Sequence, residues 1–199
     1  MARIRNEEAY HDTRSKLLNV GMNLIRAGSY ESVGINDVLR ASGVPKGSFY
    51  HYFQSKEEFG LEVANHYHDQ QLQTAKHVLQ NSTQPPFERL ITFFRLAYKD
   101  FEARGFSHGC LMCNLSTELA DENPAFRALL KKHWHALCTQ IASCIKGMDK
   151  SELSLEHLSD AEAGDWLLNS WSGALTRMKA VGNGEPLRLF VKTTFNEVI

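Results

Sequence analysis

Apolar positions recur along this chain at helical spacing almost from end to end. Leu17, Leu18, Gly21, Leu24 and Ile25 fall at i, i+1, i+4, i+7 and i+8, one face of a 3.6-residue period. Asp12 or Thr13 is placed to cap the start of this helix and Gly28 to end it. Ile35, Val38 and Leu39 predict a short second helix closed by Ser42-Gly43, and Pro45 opens a third at the position that best tolerates proline. That third helix is aromatic for its length, with Phe49, Tyr50, Tyr52 and Phe53. Ser55-Lys56-Glu57-Glu58 reads as a capping box, with Ser55 as N-cap and Glu58 reaching back, ahead of a long helix to about Gln80. Asn81-Ser82-Thr83-Gln84-Pro85-Pro86 reads as a linker. Leu90, Phe93, Phe94, Ala97 and Phe101 share one side of the next helix, Phe87 to Ala103, and a loop follows from Gly105 to Gly109. Further helical patterns lie at about 110–121, 124–146, 159–180 and 185–198, punctuated by Asn123-Pro124, Gly147 and Gly182-Asn183-Gly184. Strand alternation, internal repeats and low-complexity tracts are not seen. The expected architecture is all-α, about nine helices, with a three-helix head over residues 1–55 and a helical body over 56–199.

Composition narrows the function. At 43 % hydrophobic and 23 % charged over 199 residues, the chain is too apolar and too balanced for wholesale disorder. No stretch approaches the ~20 apolar residues of a membrane helix. The polar start, Met1-Ala2-Arg3-Ile4-Arg5-Asn6-Glu7-Glu8, has no signal-peptide run, so a cytoplasmic chain without a membrane partner is expected. The net charge of −1 is unevenly spread. Residues 1–56 carry eight Lys/Arg, Arg3 and Arg5 among them, against five Asp/Glu, and the remainder carries 14 against 18. A basic head on an acidic body permits DNA binding by the head.

The head has the pattern of a helix-turn-helix: Ala41-Ser42-Gly43-Val44 supplies the tight turn, and Pro45-Lys46-Gly47-Ser48 starts the following helix with small polar residues that let its backbone approach a duplex. A small helical cap is the bland alternative. The run from Val44 to Glu57 resembles the signature of TetR-family transcriptional repressors, and Thr13-Arg14, Leu17-Leu18 and Gly34-Ile35-Asn36-Asp37-Val38-Leu39 sit where that family has its first two helices. The resemblance implies that Lys46, Gly47, Ser48, Tyr50 and His51 face DNA and that Lys56 pairs with phosphate. The side-chain chemistry agrees: lysines supply charge, Ser48 and Tyr50 donate to phosphate oxygens, and His51 reaches a base edge. Phe49 and Phe53 are expected in the head's core, and Tyr52 fits there better than on DNA. One head reads few base pairs, so a homodimer on a roughly palindromic double-stranded DNA operator is expected.

The last two helices carry Trp166, Leu167, Leu168, Trp171, Leu175, Met178, Leu187, Leu189, Phe190, Val191, Phe195 and Val198 without catalytic groups. Core burial explains some of these and a helix-pair interface others. TetR-type repressors commonly dimerise through this pair, where Ser170, Gly173 and Ala174 would allow close approach.

All four cysteines fall within 35 residues: Cys110, Cys113, Cys138 and Cys144. In a cytosolic chain these are thiols. Cys110 follows a glycine loop and opens a helix, where unpaired N–H groups favour thiolate, and a protonated His108 would act the same way. That is the chemistry of an electrophile or oxidant sensor. Cys138 and Cys144 read as buried packing residues. Zinc, with His108, His133 or His135 joining Cys110 and Cys113, lacks a second ligand pair at metal spacing, and no metal or cofactor is expected.

Ser107-His108-Gly109-Cys110-Leu111 with Leu115-Ser116-Thr117-Glu118, then Trp171-Ser172-Gly173-Ala174 and Lys179, resembles the NemR-like subgroup of the family, which responds to electrophiles and oxidants. The resemblance makes Cys110 the sensing residue and Lys179 a lysine near it, with Cys113 an extra thiol able to resolve an oxidised Cys110. In the expected mechanism, modification repacks the loop and the adjacent helix 87–103, which moves the long fourth helix. Two alternatives stand beside it. One is a reversible apolar effector in a pocket of Phe93, Phe94, Tyr98, Phe101, Trp134 and Trp171. The other is a thiol-dependent enzyme, against which the chain shows no nucleotide-binding glycine loop and no nucleophile elbow.

Overall fold

A computed structural model describes residues 7–198, which form nine α-helices and no strand. Arg3 and Arg5, part of the head's basic excess, and the rest of residues 1–6 lie outside the described residues. The head contains α1 (Glu7–Ala27), α2 (Ile35–Ser42) and α3 (Lys46–Phe49). α1 is already helical at Glu7, so neither Asp12 nor Thr13 is its cap. Leu17 and Leu18, both buried, fix the helix to the core further along.

α2 ends as expected, with Gly43 at φ 68° donating its N–H to the Leu39 carbonyl at 2.9 Å. Pro45 is the N-cap of α3. The rings of Phe49 and Phe53 meet Phe59, from the start of α4 (Lys56–Leu79), at centroid distances of 5.3 and 5.0 Å. Each such burial is worth roughly 1.5–3 kcal/mol, which is why these two aromatics go inward. Ser55 caps α4 by accepting the Glu58 N–H at 3.0 Å. The Glu58 carboxylate reaches back to the N–H of Gln54 at 2.7 Å, one residue before the expected partner.

The body adds α5 (Pro86–Ala103), α6 (Leu111–Leu119), α7 (Pro124–Ile145), α8 (Asp160–Val181) and α9 (Glu185–Phe195). A 3-10 turn at Lys150–Leu153, too short to show a period, was not predicted. α4 packs against α1, α5 and α7, and α8 lies between α7 and α9. Head and body meet at Gly60, where a Cβ would lie 2.4 Å from the Tyr30 ring and 2.9 Å from Phe126 of α7, so only glycine fits.

Candidate functional site

On the head, Lys46, Gly47, Tyr50 and His51 are exposed and Ser48 is half-buried. Phe49 and Phe53 are buried, and Tyr52 packs its ring 4.5 Å from Tyr10. Five of the six residues expected on DNA are thus on one short stretch around α3. Lys56 differs. Its ammonium donates to the Glu31 carbonyl at 3.0 Å and sits 4.8 Å from the centre of the Tyr30 ring, so it is engaged inside the head.

Two side chains tie this head to α6. Glu118, in the last turn of α6, accepts the backbone N–H groups of Tyr30 at 3.0 Å and Glu31 at 2.7 Å. Arg26, in the last turn of α1, donates from Nη2 to the carbonyl of Gly109 at 3.3 Å, immediately before Cys110. Neither role was read from the sequence. Glu118 belongs to the quoted motif, but its partners lie 88 and 87 residues away.

Cys110 is the N-cap of α6, reached through left-handed backbone at Phe106, His108 and Gly109. Its side chain makes no N-cap hydrogen bond. The Cys113 thiol acts first and the hydroxyl of Tyr67 adds to it, holding the Cys110 thiol well below its ordinary value against the opposing effect of burial. Tyr67 donates to the sulfur at 3.6 Å. Cys113 is pushed up, by its hydrogen bond to Cys110 and then by burial, so it remains the proton-bearing partner. Cys110, Cys113 and Lys179 line one outer cleft of about 160 Å³ together with Asn114 and Thr117. The Lys179 ammonium lies 3.3 Å from Asn114 Oδ1, and a Cβ on Gly109 would lie 3.2 Å from the Lys179 stem. His108 is not brought to the thiol cleft: its side chain is exposed, and its carbonyl accepts from Asn114 at 3.1 Å.

Inside Cys110, the aromatic pocket is only partly as expected. Phe93, Phe101, Trp134 and Trp171 do line a space with Cys110 and Tyr67, but its volume is about 40 Å³, roughly one water molecule and far below the ~300 Å³ of a ligand pocket. Phe94 and Tyr98 are elsewhere. Phe94 is fully buried against Trp171 and Phe190 at 5.2 and 4.9 Å, and the Tyr98 hydroxyl accepts from Arg188 at 2.8 Å. Trp134 donates to Ser116 at 3.0 Å.

Cys138 and Cys144 are buried, as Cys110 is, but without its donors. Burial pushes Cys138 up to about 12 and raises Cys144. His133 stacks on His68 at 4.0 Å and pairs with Asn65 at 3.0 Å, while His135 is exposed. Among the described residues no three His, Cys, Asp or Glu side chains come together as a metal group, and no helix is long and apolar enough to cross a membrane.

α8 and α9 leave an open groove of about 270 Å³ lined by Trp166, Ser170, Ala174, Leu189 and Phe190. Trp166 and Leu189 are 41 % and 57 % exposed, although Trp171 and Phe190 beside them are buried.

Residues 17–63 match the bacterial regulatory proteins of the tetR family, and residues 86–194 match the tetracyclin repressor-like C-terminal domain. The chain is 33 % identical over 180 residues to the transcriptional regulator AcuR of Cereibacter sphaeroides, covering 89 % of this chain and 81 % of that protein. It is 30 % identical over 187 residues to the HTH-type transcriptional repressor DhaR of a Mycobacterium species, covering 94 % and 92 %. It is 29 % identical over 185 residues to the HTH-type transcriptional repressor NemR of Escherichia coli, covering 92 % of each. The reduced form of NemR superposes with a TM-score of 0.83 at 26 % identity, over 95 % of this chain and 98 % of that one.

Proposed function

This chain belongs to the tetR family of bacterial regulatory proteins, and on that premise we propose that it is a cytoplasmic repressor whose operator is released when an electrophile or oxidant modifies Cys110. It is a transcriptional regulator and not an enzyme. Residues 1–55 form the DNA-reading unit and 56–199 the sensing and dimerisation unit, with the first turns of α4 shared between their cores. Two heads, joined through the α8–α9 groove of each chain, read two half-sites of a palindromic operator. Lys46, Gly47, Ser48, Tyr50 and His51 meet the DNA.

The observation that carries the sensing proposal is the placement of Cys110, a buried thiol with a depressed pKa at the N-terminus of α6, in the wall of the outer cleft. Its thiolate adds to an activated double bond: the S–C bond forms, the π pair moves toward the carbonyl, and the resulting enolate takes a proton from solvent. Lys179, in the same cleft, meets the developing negative charge. An oxidant instead converts the thiolate to a sulfenic acid, which Cys113 can attack, releasing water.

Neither the inner space of about 40 Å³ nor the outer cleft of about 160 Å³ reaches the ~300 Å³ of a ligand pocket, so an organic adduct displaces α6 or its loop. The structure offers a shorter route to the head than the expected one through α5 and α4. α6 itself holds the head by Glu118, and its loop is held by Arg26. Full switching from 1:99 to 99:1 requires about 5.5 kcal/mol between the two states.

The test is DNA retention on the chain's own upstream promoter region, with and without N-ethylmaleimide. Release of wild type with retention by Cys110→Ser is expected. Release of both would move sensing to another group, and release of neither would reduce Cys110 to a packing residue.

A further inference from the structure

A second opening, about 470 Å³, lies where α1 leaves the head and meets α4 and α5. It shares Tyr67 and Phe93 with the thiol site but is more than ten times larger than the space inside Cys110. Arg26 and Arg104 both line it. Arg26 is only 5 % exposed, and its Nε is buried without a hydrogen-bond partner. No carboxylate among the described residues pairs with Arg26. Arg104 has Asp100 beside it at 2.6 Å, yet its Nε is also buried and unpartnered. Burial and then the Arg26 guanidinium push Arg104 below its usual value, so the two cations are close enough to repel. Two guanidinium groups thus face one carboxylate.

The C-terminal ends of α1 and α5 favour cations at these positions, but helix dipoles do not fill guanidinium donors. Arg26 lies over the Tyr67 ring at 5.6 Å and Arg104 over the Phe101 ring at 4.7 Å, but neither ring fills the Nε donors. Buried donors without acceptors are costly, and an anionic acceptor suits two guanidinium groups best. Met22, Phe93 and Leu96 supply apolar wall, with the amides of Gln70 and Gln71 at the edge. A planar carboxylate can be gripped bidentately by guanidinium, and the apolar wall suits a hydrocarbon body. A phosphate would bring a larger hydration shell onto that wall.

We infer that this crease is a reversible binding site for a monocarboxylate with a compact apolar body, its carboxylate bridging Arg26 and Arg104. Arg26 belongs to the first helix of the head and Arg104 to the end of α5, so the ligand spans head and body. Arg26 also holds the Gly109 carbonyl, which couples this ligand to the loop that carries Cys110. Binding itself does not depend on thiol sensing.

Isothermal titration of the full-length Cys110→Ser protein with benzoate, hexanoate and inorganic phosphate at matched ionic strength tests the site. Saturable binding of a carboxylate, one per chain, is expected, with phosphate failing to compete. Arg104→Gln leaves the Arg26–Gly109 contact intact and should weaken binding about tenfold; Arg26→Gln should weaken it by at least about as much, with circular dichroism confirming that each variant folds. Absence of saturable binding by both carboxylates, affinity in either variant unchanged from that of the Cys110→Ser parent, or equal binding of phosphate would each overturn the assignment.

Discussion

The Glu118 carboxylate accepts the backbone N–H of Glu31 at 2.7 Å, joining the last turn of α6 to the loop that follows the first helix of the head. The same carboxylate accepts from Tyr30 at 3.0 Å. Glu118→Gln leaves one acceptor oxygen and no charge for two amides. The expected cost is about 1 kcal/mol of stability, since the site is partly open to water. Operator release on alkylation of Cys110 should become less complete. Urea melts and gel shifts on the variant measure both, and unchanged values in the two assays would remove Glu118 from the coupling.

The pH dependence of alkylation follows from the thiol's surroundings. A depressed pKa keeps Cys110 charged at lower pH than a free thiol near 8.5, so its reaction with iodoacetamide should rise with pH through an inflection below that value. Tyr67→Phe removes an O–H donor to the charged sulfur and should move the inflection up. Cys113→Ala, which removes the strongest donor, should move it further. Mass-spectrometric rates at Cys110 between pH 5 and 9, roughly the thiol range, give the order directly. Coincident profiles for all three proteins would contradict it.

Leu189 is more than half exposed on α9, across the groove from Trp166. Leu189→Glu places a charge where the proposed dimer face would bury it. Sedimentation should show a dimeric wild type and a variant shifted to monomer with weakened operator binding. A variant that remains dimeric at the same concentration places the interface elsewhere.

Lys46 and Lys56 should behave differently on DNA. Lys46 is exposed, and Lys46→Ala should lower the salt slope of operator binding by about one. Lys56 spends its ammonium on the Glu31 carbonyl and the Tyr30 ring, so Lys56→Ala should reduce the melting temperature more than the slope. Binding isotherms over a salt series, with melts alongside, separate the two effects.

The head was legible because its signals are local. The Gly43 turn, Pro45 start and Ser55 cap each act over a few residues, and the inward aromatics Phe49 and Phe53 follow from helical spacing. The body was legible as helices but not as a site. Phe93 and Phe94 belong to one apolar stripe in the sequence, yet successive helical positions differ by ~100°, so Phe93 reaches the thiol side while Phe94 enters the seam with Trp171 and Phe190. A stripe says which residues avoid water and not which neighbour receives them.

Sequence alone therefore determined the all-helical class, the helix-turn-helix, the family and the start of a helix at Cys110. Periodicity, caps and a contiguous motif are properties of neighbouring residues. Tertiary structure decided that Lys179 shares the cleft of Cys110, that Tyr67 donates to its sulfur, that Glu118 grips the head, and that Arg26 and Arg104 stand together with unfilled donors. Those relationships join residues tens of positions apart on different helices. They depend on how the helices pack, because hydrogen bonds and unpaired buried charge are set by distance in space.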